Sequence, residues 1–137
     1  TVVRNLRPDL VGRQVQSVSG GAHWGGGLWI STADHARIGQ LVLNRGVWEG
    51  QRLLSEAWVE TMTAPCQINP TYGMFWWLNT PGHAVFPSAS ARAVFGIGVG
   101  CNLIWVEPAH DMALVARWIE DDAVDAFIAK VLAARTG

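Results

Sequence analysis

Phe95-Gly96-Ile97-Gly98-Val99-Gly100-Cys101-Asn102-Leu103-Ile104-Trp105-Val106-Glu107-Pro108 places three glycines at alternate positions ahead of a β-branched and aromatic run, with no turn signal before Glu107-Pro108. Alternate residues of an extended segment point the same way, so Gly96, Gly98 and Gly100 strip one face of side chains and offer bare backbone to a ligand or another chain. A bulged strand packed closely against a neighbour accounts for the same glycines. Phosphate binding does not, because a dinucleotide fingerprint needs a helix to open directly after its glycines, and Asn102–Val106 has strand composition instead.

Working outward, strands are expected at residues 92–98, 102–106 and 112–118, with Glu107-Pro-Ala-His-Asp111 turning between the last two. They predict an antiparallel meander. Upstream, Tyr72–Asn79 is apolar on both faces, as in a strand covered on both sides, and Pro81-Gly82 ends it. Residues 83–90 are expected to form a loop at a cleft mouth. Downstream, Asp121 and Asp122 offer an N-cap and favourable charge to a helix whose Val124, Phe127, Ile128, Val131 and Leu132 form one apolar stripe.

Nearer the N-terminus, Ser31-Thr-Ala-Asp34 reads as a capping box for a helix with Ala36, Ile38, Leu41 and Val42 on one face. Arg45-Gly46 would close it with a cation and a C′ glycine. Ser55 caps a second, shorter helix through Met62, with Trp58 and Met62 at i, i+4 and Pro65 beyond its end. Gly20–Gly27 is a loop by composition, and residues 1–20 show no sustained period, although Val11, Val15 and Val18 fit a short strand or arm. The fold class is therefore α+β: two helices, then an antiparallel sheet with a C-terminal covering helix. The chain is expected to be a single domain or a fragment, with residues 1–65 forming a loop and helical part and residues 66–137 the strands and final helix.

The formal net charge of −1 and the lack of a basic run give a nucleic-acid or acidic-membrane partner no electrostatic support. No apolar stretch approaches the roughly 18 residues of a spanning helix, so a soluble chain without a membrane span is expected. No targeting segment is evident, which leaves the compartment open. Charged residues make up 15% against about 25% in a typical globular protein, while Trp occurs 8 times. Apolar surface covered by a second subunit or by further sequence is the expected consequence. The start at Thr1 rather than Met points the same way, towards a fragment. Cys66 and Cys101 match neither a zinc nor a Cys-x-x-Cys spacing and are expected to be buried thiols, with a disulfide as the alternative. His23, His35, His83 and His110 are too scattered for a ligand pair, and no metal or cofactor is expected.

Gly25-Gly-Gly-Leu-Trp-Ile-Ser-Thr-Ala-Asp-His-Ala-Arg37, Leu53-Leu-Ser-Glu-Ala-Trp58, Tyr72-Gly73 with Trp76-Trp77, and Asn102–Pro108 occur in an order that resembles the C-terminal part of the serine β-lactamase and penicillin-binding-protein superfamily. The resemblance is greatest to class C-related hydrolases and esterases, and it runs from about Gly20 to Trp118. It implies the C-terminal portion of a β-lactamase/transpeptidase-like fold and acyl transfer through an acyl-enzyme, with two backbone amides holding the oxyanion. It also implies a Ser-x-x-Lys nucleophile, a Tyr-x-Asn motif and a third Lys/His-x-Gly motif on a sheet-edge strand. The first two are absent: Lys130 is the only lysine and follows Phe127 by three, and Tyr72 is the only tyrosine and precedes Gly73-Met74.

By that resemblance this chain is either the C-terminal fragment of a serine hydrolase, with its nucleophile upstream, or a non-catalytic binding module that keeps the scaffold. Thr1 as an N-terminal nucleophile is a third alternative, without the positioned strand such chemistry needs. Aligned on Asn102–Pro108, the third motif falls on Gly96, Ile97 and Gly98, and the oxyanion amide on Val99. Gly96 replaces the usual cationic side chain, which favours a neutral ester or amide over a penicillin carboxylate. Trp24, Trp76 and Trp77 are expected near the substrate, with core packing as the rival role for the last two.

Overall fold

The computed structural model describes residues 4–8, 14–18, 28–80 and 82–135, and the Gly20–Gly27 loop with Trp24 lies outside them. In chain order the elements are β1 (Arg4–Pro8), β2 (Gln14–Val18), β3 (Leu28–Trp29), α1 (Thr32–Leu43), β4 (Val47–Trp48), β5 (Gln51–Arg52) and α2 (Glu56–Met62). There follow β6 (Trp77–Leu78), β7 (Val94–Gly98), β8 (Asn102–Glu107), β9 (Met112–Ala116) and α3 (Val124–Arg135). The architecture is α+β with antiparallel sheets. The N-terminal part is not merely loop and helix: β1, β2 and β3 form a three-stranded sheet, and β4 pairs with β5.

The sheet that matters most is β6-β7-β8-β9, in which every neighbour in space is also the neighbour in sequence. Its alternation sends Phe95, Leu103 and Trp105 to one face, where Val124 and Ile128 of α3 complete a buried cluster. Val94, Val106 and Leu78 face the other way, onto Val42 of α1 and Val59 and Met62 of α2. Helices thus cover both faces. Gly39 lets α1 approach: a Cβ there would sit 3.0 Å from Ile104 and 3.3 Å from Ala113.

Local chemistry explains the helix starts. The Ser31 hydroxyl accepts the Asp34 N–H at 3.1 Å and donates to the Asp34 carboxylate at 2.7 Å, so one side chain caps the helix and fixes the acid beside its positive end. Ser55 accepts the Trp58 N–H in the same way. The end of α1 departs from expectation. Arg45 takes the C′ position with φ 51°, and Gly46 follows it, also at positive φ, 87°. The Arg45 N–H bonds Val42 O and the Gly46 N–H bonds Leu41 O, the two-bond pattern that satisfies the last carbonyls.

Tyr72–Asn79 is not a single strand. Tyr72 bridges back to Trp77, the Gly73 N–H bonds Trp76 O, and Phe75 takes φ 67°, so the segment folds on itself and only Trp77–Leu78 joins the sheet. Its apolar faces serve a tight turn against α2 rather than two sheet faces. A Cβ on Gly73 would meet Met62 O and Ala64 O too closely. At the far end a 3-10 turn over Asp121–Ala123 precedes α3, and Glu120 at its start makes no side-chain capping bond. Asp125 instead accepts from both the N–H and the hydroxyl of Ser88, each at 2.9 Å.

Two buried polar groups hold the loop between β6 and β7. Asn79 is fully buried; its amide donates to Phe86, Ala89 and Ser90 carbonyls, and its oxygen accepts from Val85 and Phe86 N–H groups. Glu107, equally buried, accepts from the Ser90 N–H at 3.0 Å and from the Ser90 hydroxyl. Of the two thiols expected to be buried, only Cys101 is. Cys66 is exposed, and both are free.

Candidate active-site edge and hairpin

The free part of β7 follows from its register. The Asn79 N–H donates to Ala93 O at 3.1 Å, and Trp77 pairs with Phe95. Backbone groups alternate sides along an antiparallel strand, so residues 93, 95 and 97 turn their N–H and C=O towards β6, while 94, 96 and 98 turn theirs towards β8. The β6 ladder ends at Trp77, whose predecessor Trp76 directs its carbonyl back to Gly73. Beyond that point the Ile97 N–H and C=O project from an edge that carries no partner strand among the described residues.

Gly96 and Gly98 lie on this edge-exposed half of β7, on the α1 face, and Ile97 packs against the α3 core. A Cβ on Gly96 would meet only Ile104, at 3.6 Å, and one on Gly98 only Asn102, at 3.8 Å. Neither crowding nor a positive φ calls for glycine at either position. The third glycine is different. Gly100 is not on the strand face but in the three-residue turn Val99-Gly100-Cys101, at φ 71°, where a Cβ would collide with the Trp118 ring.

Val99 sits at the tip of this hairpin with its side chain 90% exposed, and its N–H has no hydrogen-bond partner among the described residues. The tip is nonetheless held from several sides. Asn102 Nδ2 donates to Val99 O at 2.7 Å, and Arg117 Nε donates to Asn102 Oδ1 at 3.3 Å. Arg117 Nη1 in turn reaches Ile30 O at 3.1 Å. Cys101 anchors the turn from below in the α3-side core, where burial pushes its thiol pKa up and the nearby Asp121 adds to the rise. His35 is half-buried; burial and then the Arg117 guanidinium pull its pKa below the usual value.

Two depressions flank the edge. One, of about 480 Å³, is lined by Trp58, Met62, Tyr72, Gly73, Met74, Phe75 and Trp76, and begins where β6 leaves the sheet. The other, of about 510 Å³, lies at the hairpin tip between Gly100, Trp118, Ile119 and the acidic run Glu120–Asp122. Trp76 is buried with Met62 and Val59, whereas Trp77 is partly exposed and meets Tyr72 edge-on at 4.9 Å. Among the described residues no His, Cys, Asp and Glu group is arranged to hold a metal.

Gly96, Ile97, Gly98 and Val99 thus run on from the Trp77–Phe95 pair at one end of the sheet, while Trp76 is buried against α2. Asn102, Arg117 and Trp118 join them, and the sequence reading passed over all three. Arg117, a lone cation ending an apolar strand, was the available signal.

No family model matches the chain. The 6-aminohexanoate-dimer hydrolase of Paenarthrobacter ureafaciens is 27% identical over 114 residues, covering 71% of this chain and 26% of that protein. A solved structure, the putative 6-aminohexanoate-dimer hydrolase from Bacillus anthracis, matches with a TM-score of 0.58 at 21% identity. The fold is that of part of this hydrolase. The match covers 80% of this chain and 30% of the solved one, so the chain spans about a quarter to a third of the proteins it resembles. Both matches carry the name of the same hydrolase, which is consistent with the hydrolase resemblance of the sequence.

Proposed function

We propose that this chain is the C-terminal, third-motif part of a serine hydrolase of the β-lactamase-related, class C-like type, acting on neutral esters or amides through an acyl-enzyme. The observation that carries this reading is the free half of β7, where the glycine-bared edge ends in a Val99 N–H that has no hydrogen-bond partner among the described residues. A backbone donor does not depend on side-chain identity, so Val99 serves as one oxyanion amide, and such a donor contributes on the order of 3 kcal/mol to transition-state binding. Ile97 N–H and C=O align the substrate along the edge. The apolar groove from Trp58 to Trp76 takes its hydrocarbon part. Gly96 supplies no cation for a substrate carboxylate. The nucleophile and its proton-transfer partners come from sequence outside this chain.

The absence of Ser-x-x-Lys and Tyr-x-Asn within the 137 residues favours a second reading, a binding module that keeps the scaffold without the chemistry. One assay set separates the two. The chain and the polypeptide from the whole reading frame that contains it are offered an activated short-chain ester, the 6-aminohexanoate dimer and nitrocefin. The expected result is a silent chain and a longer polypeptide that cleaves the ester or dimer in preference to nitrocefin. Turnover by the chain alone would overturn the assignment of the nucleophile, and silence of both would favour the binding module.

A further inference from the structure

The exposed hairpin tip is unusual in being pinned by side chains that a surface turn does not need. Asn102 has two roles to fill, and its neighbours decide which atom does which. Arg117 has only donors, so the oxygen of Asn102 must face Arg117 Nε at 3.3 Å, which leaves the NH₂ to donate to Val99 O at 2.7 Å. The same guanidinium reaches across to Ile30 O just before α1. The turn is therefore tied, through Asn102 and Arg117, to the N-terminal end of the helix that covers the sheet.

We infer that Asn102, oriented by Arg117, is a positioning residue for the Val99 backbone, fixing the direction in which its N–H meets the substrate oxygen. The inference rests on the oxyanion role given to Val99 above. A preorganised donor stabilises developing charge only if it needs no reorganisation at the moment of reaction. Among the described residues Val99 itself has little else to hold it: the residue is 90% exposed, and the strand ladder ends at the Gly98–Asn102 pair. Gly100 follows at φ 71°, so without the clamp the Val99–Gly100 peptide borders a residue whose backbone has no Cβ to restrict it. Arg117 makes no contact with substrate in this scheme and acts only through Asn102.

The variant Asn102→Asp separates clamp from fold. It keeps an acceptor for Arg117, now as an ion pair, but cannot donate to Val99 O; Asn102→Ala removes both bonds. The first readout is ¹⁵N relaxation at Val99 and Gly100 in this chain. Loss of order confined to the turn, with Tm within about 3 °C of the parent for Asn102→Asp, is expected. The second is kinetics in the whole-frame polypeptide, where kcat is expected to fall roughly 10- to 100-fold with KM within about twofold. An unchanged turn overturns the clamp. A loosened turn with unchanged kcat overturns its catalytic meaning. An inactive parent polypeptide overturns the oxyanion assignment, and the catalytic half of the inference with it, while the relaxation data still decide the clamp.

Discussion

The indole of Trp118 lies against Gly100, so that a Cβ on the glycine would fall inside the ring's van der Waals surface. Both residues have positive φ, 71° for Gly100 and 56° for Trp118, and the indole stays 74% exposed. Gly100→Ala therefore meets backbone strain and a clash together. A loss of about 1–3 kcal/mol in stability is expected, measured by chemical denaturation, and a change below about 0.5 kcal/mol would show that the ring is free to move aside.

Gly98→Val probes the opposite situation, a glycine that nothing among the described residues demands. A Cβ there meets only Asn102, at ordinary contact distance, and the strand backbone suits a β-branched residue. Stability within about 1 kcal/mol of the parent is expected. Ester turnover by the whole-frame polypeptide should nevertheless fall, because the bare edge is filled. Retained turnover in a stable variant would mean that the glycines do not admit substrate.

The Asn79 side chain makes five hydrogen bonds from a fully buried position, and Asn79→Ala strands the Val85 and Phe86 N–H groups and takes one of the bonds from each of the Phe86, Ala89 and Ser90 carbonyls in the loop before β7. A loss of about 3–5 kcal/mol is expected by urea denaturation. Asn79→Asp should be nearly as damaging, because a carboxylate offers no donor to the three carbonyls. Stability close to the parent in either variant would show that water replaces the side chain.

His35 has a folded pKa below its usual 6.5, first through burial and then through Arg117. The unfolded chain therefore binds the proton more readily. Its contribution to stability is complete above about pH 6.5 and is lost as pH falls below that value towards the lowered folded pKa. His35→Gln, which does not titrate, should flatten the stability profile just below pH 6.5. An unchanged slope would assign the dependence to other groups.

The thiols give a direct count. Cys66 is exposed, whereas Cys101 is buried with its pKa raised by burial and by Asp121. A disulfide reagent at pH 8 should react with one thiol rapidly in the folded chain and with the second only after denaturation. Two rapid equivalents would mean that the turn opens readily.

The parts legible in the sequence are those whose chemistry is local. Ser31 and Ser55 each act on an N–H three residues away, and the stripe from Val124 to Leu132 needs only a helical period to be seen, which is why these helices were placed within a few residues. The strands around Gly98 and Asn102 were legible for the same reason. Phe75 was not: an aromatic residue at φ 67° looks like strand composition until Gly73 is seen folded against Met62 and Ala64. Arg45 at the α1 C′ position was hidden by the better left-handed candidate next to it. At the site, the backbone roles of residues 96–99 could be aligned, but the bonds from Arg117 to Asn102 and to Ile30 depend on how the hairpin, β9 and the N-terminal segment meet.

Because β6, β7, β8 and β9 are laid down in the order in which they pair, no strand of this sheet has to wait for a distant partner. The β7–β8 hairpin closes over three residues, and contacts of such short sequence separation form early, on a timescale of about 1–10 μs for an isolated hairpin. The path of the turn is thus set by the shortest loop closure in the sheet, while Arg117 reaches Asn102 only once β9 has paired with β8. The clamp on Val99 is therefore completed after the hairpin that it orders.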